Sequence, residues 1–166
     1  MKQDALDRGD AQTGALIVGS YRYRLWRTWD PKRRAAMFVM LNPSTVAATE
    51  NDPAIRRCIE FAKRWGYGGL EVGNLFAYRT PNPDELLDVA AIGPNNDGHL
   101  IAMCHAGPGV VVAAWGVNAP LDRSEAVLDL LVRSWDGPIY CLGKTKDGVP
   151  RHPLYVPATM KLLKVR

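Results

Sequence analysis

The chain is poor in the residues that metal sites and disulfide frameworks require. It holds three cysteines, Cys58, Cys104 and Cys141, with no CxxC pair, and three histidines. An odd number of scattered thiols argues against a disulfide scaffold or a tetrahedral zinc site and leaves buried structural thiols. No His/Cys/Asp/Glu group with ligand spacing is present, so chemistry without a metal or other cofactor is expected. No apolar run is long enough to span a bilayer, and no membrane partner is expected. Met1 to Asp10 is charged and lacks the apolar core of a signal peptide, which points to a cytoplasmic protein. Lys144-Thr145-Lys146-Asp147-Gly148 lacks the glycine spacing of a phosphate loop. Ser44 lacks the G-x-S-x-G elbow of a serine hydrolase. There is no internal repeat, no low-complexity stretch and no clear linker, so residues 1–166 read as one domain.

What is present suits that domain. A length of 166 residues, 47% of them hydrophobic and 23% charged, suffices for one proper core. The net charge of +4 is too small to establish nucleic-acid binding by itself. Its distribution is uneven. Residues 144–166 carry six basic side chains against one acid, whereas 121–136 carry four acids and two bases. His152 falls in the positive end.

Strand and helix signals alternate. Residues 1–14 are polar and expected to be frayed. Tyr21, Tyr23 and Leu25 alternate with Arg22 and Arg24, a pattern that predicts a strand with one wet face. Ala35 to Leu41 is a continuous apolar run, as in a central strand buried on both sides. Asp52-Pro53 predicts a helix start, with Asp52 as N-cap. Ile55, Cys58, Ile59, Ala62 and Trp65 follow at helical spacing, and glycines at 66 to 69 stop the helix. Leu70 to Phe76 is the next strand. Short helices are expected over 84–90 and within 92–104, then a buried strand over 110–114. Ser124 is expected to cap a helix with Ala126, Val127, Leu130 and Leu131 on one face. A strand follows at 139–142, and a last short piece runs over 160–165. The pattern predicts a three-layer α/β/α fold with a mainly parallel central sheet.

Four segments carry candidate chemistry: Phe38 to Thr45, Leu70 to Arg79, Val110 to Gly116 and Gly148 to Leu154. Three read as an apolar strand entering a polar or glycine turn. The fourth is a basic, proline-rich loop. Side chains just beyond strand ends collect at one edge of an open α/β sheet, where ligands bind. Asn42, Asn74 and His152 are therefore expected to converge on one pocket.

In this order the segments resemble the uracil-DNA glycosylase superfamily. Met40-Leu41-Asn42-Pro43-Ser44 is similar to its G-x-N-P-G/S turn, with Met40 in place of the usual glycine. Val72 to Pro83 is similar to its strand-end asparagine followed by a basic residue and prolines. Ala113-Ala114-Trp115-Gly116 is similar to its small-residue strand, and His152-Pro153-Leu154 to its His-Pro loop. Together with Asp52 to Cys58 and Trp65 to Leu70, the chain also looks like an uncharacterised bacterial and phage family, over roughly residues 20–157.

The glycosylase resemblance implies an N-glycosidic hydrolase acting on DNA, or on a free nucleotide or nucleobase. Extrusion of a base from the stack costs a few kcal/mol. Asn42 would hold a water below the sugar. Asn74 would read the base edge with one donor and one acceptor. His152 would meet the charge growing on the base oxygen. Asn42 cannot accept a proton, and Asp52 is the nearest carboxylate. Asn42, His152 and Asp52 thus form the expected catalytic set. Pro43, Ser44, Asn74, Phe76, Arg79, Trp115, Gly116 and Leu154 form the substrate-binding set, with Leu154 as the wedge that fills a vacated stack. Arg56, Lys144, Lys146 and Arg151 are the phosphate contacts. No aromatic occurs over 44–48 to stack on a base, so Trp65, Tyr67, Phe76 or Tyr78 would have to serve.

Plainer roles stand beside these. Asn42-Pro43-Ser44 reads equally as a turn, Asp52 as a helix cap, Asn74 as a partner for backbone groups and Trp115 as core. Arg56 and Arg57 read equally as solvated, and His99 and His105 as surface or packing residues. A small-nucleotide enzyme and a non-catalytic nucleic-acid binder remain as alternative readings.

Overall fold

A computed structural model describes residues 12–166. The signal-peptide reading and most of the frayed-start reading fall outside the described residues. Thr13 and Gly14, expected to be frayed, instead open a strand that the sequence pattern had not indicated.

Among the described residues, seven strands form one mixed sheet: β1 (Thr13–Val18), β2 (Tyr21–Thr28), β3 (Ala35–Met40), β4 (Gly69–Asn74), β5 (Val110–Ala113), β6 (Ile139–Cys141) and β7 (Leu163–Lys164), in the order β1-β2-β4-β3-β5-β6-β7. The four central strands run parallel. β2 and β7 join them antiparallel, and β1 joins β2 antiparallel. The uninterrupted apolar run of β3 takes the middle, where both faces are covered.

Among the elements described, the α-helices α1 (Pro53–Arg64), α2 (Asn96–His105) and α3 (Leu121–Ser134) cover the faces. Ile55, Cys58, Phe61 and Ala62 of α1 pack with Phe38, Leu70 and Val112 on one face. Leu100 and Met103 of α2 pack with Val127 and Leu131 of α3 over Met37, Val39 and Val111 on the other. Alternate residues of β3 and β5 thus feed two cores, as period-two geometry requires. Asp52 caps α1 as expected, its Oδ1 accepting from the Ile55 N–H at 2.8 Å.

Two helix expectations need correction. Ser124 is not a cap: α3 starts at Leu121, and the buried Ser124 hydroxyl donates to the Leu121 carbonyl at 3.0 Å within the first turn. Ala126 is exposed, away from the face that carries Val127 and Leu131. The segment over 84–90 is two 3-10 turns, Pro83–Leu87 and Val89–Ile92, rather than a helix. Asn82 and Asp88 each cap one turn, and extended Asp88 breaks the run. Short polar side chains that bond the backbone locally compete with helix propagation in this way.

The third correction concerns β2. Its register with β1 passes from Leu16↔Arg24 to Ile17↔Arg22, which leaves Tyr23 as an extra residue. Such a bulge reverses the side-chain alternation. Arg24 stays on the wet side, in an ion pair with Glu71 at 2.6 Å. Arg22, expected beside it, turns to the opposite face and is only 3% exposed.

The connection after β3 leads through α1 to β4 on one side. The connection after β5 leads through α3 to β6 on the other. Adjacent strands whose connections diverge leave a crevice at their carboxyl ends.

Candidate functional site

A cleft of about 400 Å³ occupies that crevice. The turn after β3 supplies Asn42, Pro43 and Ser44. Asn74 comes from the end of β4, and Trp115 and Gly116 from the end of β5. Asp52 comes from the start of α1, and His152 and Leu154 from the loop after β6. Nine residues expected from sequence thus line one cavity, although they are spread over more than a hundred positions.

Asn42 is half-buried. Its amide nitrogen donates to the Thr80 carbonyl at 2.7 Å and to the Pro43 carbonyl at 3.1 Å. These bonds tie the turn after β3 to the segment after β4. Its Oδ1 has no protein partner among the described residues and stays available as an acceptor.

Asn74 is 2% exposed, and its Oδ1 is buried without a partner. The neighbouring buried amide of Asn96 bonds the backbone carbonyls of Asn74 and Leu75, at 2.8 and 3.1 Å, and not the Asn74 side chain. Buried polar atoms in folded proteins nearly always have partners. The unpaired Asn74 Oδ1 therefore stands out on the wall of the cavity.

His152 precedes the 3-10 turn Pro153–Tyr155, and its Nδ1 accepts from the Leu154 N–H at 3.2 Å. The proton of the neutral ring then sits on Nε2, which is a donor. Burial pulls the His152 pKa below the ordinary histidine value, against an opposing pull from Asp52. The ring is thus held neutral at neutral pH. Arg57 of α1 anchors the same loop by donating to the Val156 carbonyl at 2.9 Å.

Asp52 uses one oxygen for the cap, and its other oxygen makes no hydrogen bond among the described residues. Trp115 is buried in the cleft wall. At the mouth, Leu154 is 39% and Tyr155 77% exposed, the Tyr155 ring 5.7 Å from that of His152.

Six expected contacts do not line the cleft. Phe76 is buried in the core under α2 and α3. Arg79 lies outside the lining and donates to the Thr45 carbonyl at 3.3 Å. Arg56 is exposed on α1. Lys144, Lys146 and Arg151 are exposed on the loop after β6. That loop acts through its backbone: Lys144 bridges Pro150, and Gly116 N–H donates to the Pro150 carbonyl at 3.0 Å. These contacts deliver His152 to the cavity. Of the four stacking candidates, Trp65 packs on Phe38 and Phe61, and Tyr78 sits edge-on to Tyr21. Neither they nor Tyr67 and Phe76 reach the cleft. Tyr155 is the aromatic that does so at its mouth.

The sequence pattern did not indicate Arg22, Thr80, Asn118 and Tyr155, which also line the cavity. Only Tyr155 carried a signal, its position beside His152. The three cysteines are buried, and burial raises their pKa values, Cys104 to about 11. His99 packs on Tyr23 with ring centroids 4.5 Å apart. Among the described residues, no group of three or more His, Cys, Asp and Glu is placed to hold a metal ion. Among them also, no helix is long and apolar enough to cross a membrane.

The sheet order and the cavity at its carboxyl edge define an α/β protein with a cleft at a topological switch point. Within that class, residues 22–154 match the profile of a family described as a protein of unknown function, DUF1643, and the chain belongs to that family. No curated protein and no solved structure matches it. The matched segment begins at Arg22 and ends at Leu154, two residues of the cleft.

Proposed function

We propose that the cleft binds a nucleobase and that the protein hydrolyses its N-glycosidic bond. The carrying observation is the buried, unpaired Oδ1 of the Asn74 amide in one cavity with the neutral imidazole of His152. An amide offers one donor and one acceptor in a plane, which matches the edge of a base. The Nε2–H of His152 supplies a donor for the base oxygen that gains charge as the bond breaks. Asn42 Oδ1 orients a water, and the free Asp52 oxygen takes its proton as the water oxygen bonds to the sugar carbon. The base departs with the electron pair of the broken bond. Ordered motifs that resemble the uracil-DNA glycosylase superfamily support the same reading, and a glycosylase-like fold is part of the proposal.

The polymer is DNA in this proposal, with Leu154 and Tyr155 at the mouth facing the strand. A free nucleoside or nucleotide is the second reading, favoured by the exposure of Arg56, Lys144, Lys146 and Arg151 away from the cavity.

The test is incubation with single- and double-stranded oligonucleotides bearing uracil, hypoxanthine, xanthine or 5-substituted pyrimidines, followed by alkali. A parallel arm uses the free nucleosides and nucleotides, with chromatography of released base. Base release that is lost in Asn74→Leu and His152→Gln supports the reading. Absence of release in both arms overturns the hydrolase, and absence of base binding overturns the pocket.

A further inference from the structure

Arg22 and Arg27 lie on the same side of β2 and are both nearly buried, at 3% and 5% exposed. Their partners differ sharply. Arg27 is saturated: it bonds Asn51 Oδ1 at 2.8 Å and the carbonyls of Gly14, Trp26, Ala48 and Glu50 at 2.7 to 3.2 Å. It holds the loop before α1 against the sheet. Arg22 makes one long bond, from a terminal nitrogen to the Val46 carbonyl at 3.4 Å, and its Nε is buried with no partner. Among the described residues no carboxylate forms an ion pair with it. A buried charge normally has a counter-ion, because taking it from water is expensive.

The charged groups that act on Arg22 are one carboxylate and two guanidinium groups. Asp52 attracts it, while Arg79 and Arg27 repel it. Arg79 too has a buried Nε without a partner. Burial first, then the repulsion of Arg79 and Arg27, pulls the Arg22 pKa down to about 10 against the attraction of Asp52, which leaves it charged at neutral pH. Asp52, Pro53, Ala54 and Ile55 place the start of α1 on the same cavity, and no acid occupies its first turn apart from the cap. That end of a helix adds positive potential. The bulge at Tyr23 is what turns Arg22 from the wet side of the strand into the cleft. Bulges commonly re-aim a side chain in this manner next to functional sites.

We propose that the cleft takes its ligand as an anion, with Arg22 as the buried counter-ion on its wall. The recognised chemistry is an anionic oxygen or ring nitrogen that accepts from the guanidinium. It is supplied by an ionised oxo-base or by the phosphate of a nucleotide. This deepens the nucleobase reading and rests on the same cavity.

The test measures binding by calorimetry to the intact chain at neutral pH. The probes are xanthine, hypoxanthine, a nucleoside with its 5′-monophosphate, and inorganic phosphate. The expected result is that an anionic probe binds about ten- to a hundredfold more tightly than its neutral counterpart, a range typical of one charge-assisted bond. Arg22→Gln is expected to abolish that preference, and Arg22→Lys to retain part of it. Should Arg22→Gln fail to fold, the wild-type protein decides. Xanthine loses a proton near neutral pH and hypoxanthine does not. Xanthine affinity should therefore rise with pH while hypoxanthine affinity stays level. Preference for the monophosphate assigns the charge to phosphate, and the xanthine pH response assigns it to the base. Equal binding of charged and neutral probes overturns the proposal while leaving the nucleobase pocket standing. Phosphate binding that depends on Arg22, without binding of any base, upholds the anion site and removes the nucleobase reading.

Discussion

Gly116 lies against His152. A Cβ built on Gly116 would approach the His152 Cβ to 3.1 Å, and the Gly116 backbone has a φ of +83° that side chains rarely adopt. The positive φ favours glycine here, and the close approach means that a side chain would press on the one histidine in the cleft. Gly116→Ala is expected to destabilise the fold by about 1–2 kcal/mol from the left-handed backbone alone. It should also weaken ligand binding more than that loss explains, because the imidazole is displaced. Thermal denaturation alongside calorimetry separates the two; unchanged binding in a folded variant would break the link between Gly116 and the site.

Asp52 has a structural and a chemical assignment that one pair of variants separates. Asparagine caps helices about as well as aspartate, whereas alanine forfeits about 1 kcal/mol. Asp52→Asn is thus expected to keep the melting temperature and lose the proton acceptor, reducing turnover about a hundred- to ten-thousandfold. Asp52→Ala should lose both stability and turnover. Full turnover in Asp52→Asn would leave Asp52 a cap and nothing more.

Asn74 is expected to behave as a residue kept for a ligand rather than for the fold. Its Oδ1 is buried and unpaired, so an apolar side chain of similar size removes a desolvated polar atom at little or no loss. Asn74→Leu should unfold at the same temperature as the wild type or above it. Ligand affinity in that variant should fall about tenfold or more, the expected worth of one buried hydrogen bond. A clear drop in stability would instead assign Asn74 to the architecture.

His152 sets the direction of a pH response. Burial lowers its pKa, so between the ordinary histidine value and its own lower one the unfolded chain holds the proton and the folded chain does not. Stability therefore declines as pH falls through that window. Activity should be level at neutral pH and fall on the acid side, where the ring charges. The acid limb should change in His152→Gln, measured as kcat/KM and as melting temperature against pH. A rise in stability on acidification to that window would contradict a neutral, buried ring.

Much of the site was legible because it sits where strands end. Apolar runs such as Ala35 to Leu41 and Val110 to Ala114 identify central strands by composition alone, and polar residues just after them must gather at the sheet edge. Asn42, Asn74, Trp115 and Gly116 followed from that rule. The basic residues at 144, 146 and 151 stay on the surface outside the cleft, a placement that charge patterning alone does not decide. The loop bends so that its backbone, not its cations, meets the cleft.

Local sequence by itself determined the strand and helix alternation, the cap of α1 at Asp52 and the gathering of Asn42, Asn74 and His152 at one edge. Hydrophobic periodicity and turn chemistry act within a few residues, and such features can be read in a few residues. Only the tertiary structure decided where Arg22 points. A strict alternation sends it to solvent beside Arg24, and a one-residue slip against β1 sends it into the cleft. That slip is a property of two paired strands, so neither strand alone records it. The same holds for the unpaired state of the Asn74 amide: whether a buried group has a partner depends on every chain segment that arrives around it.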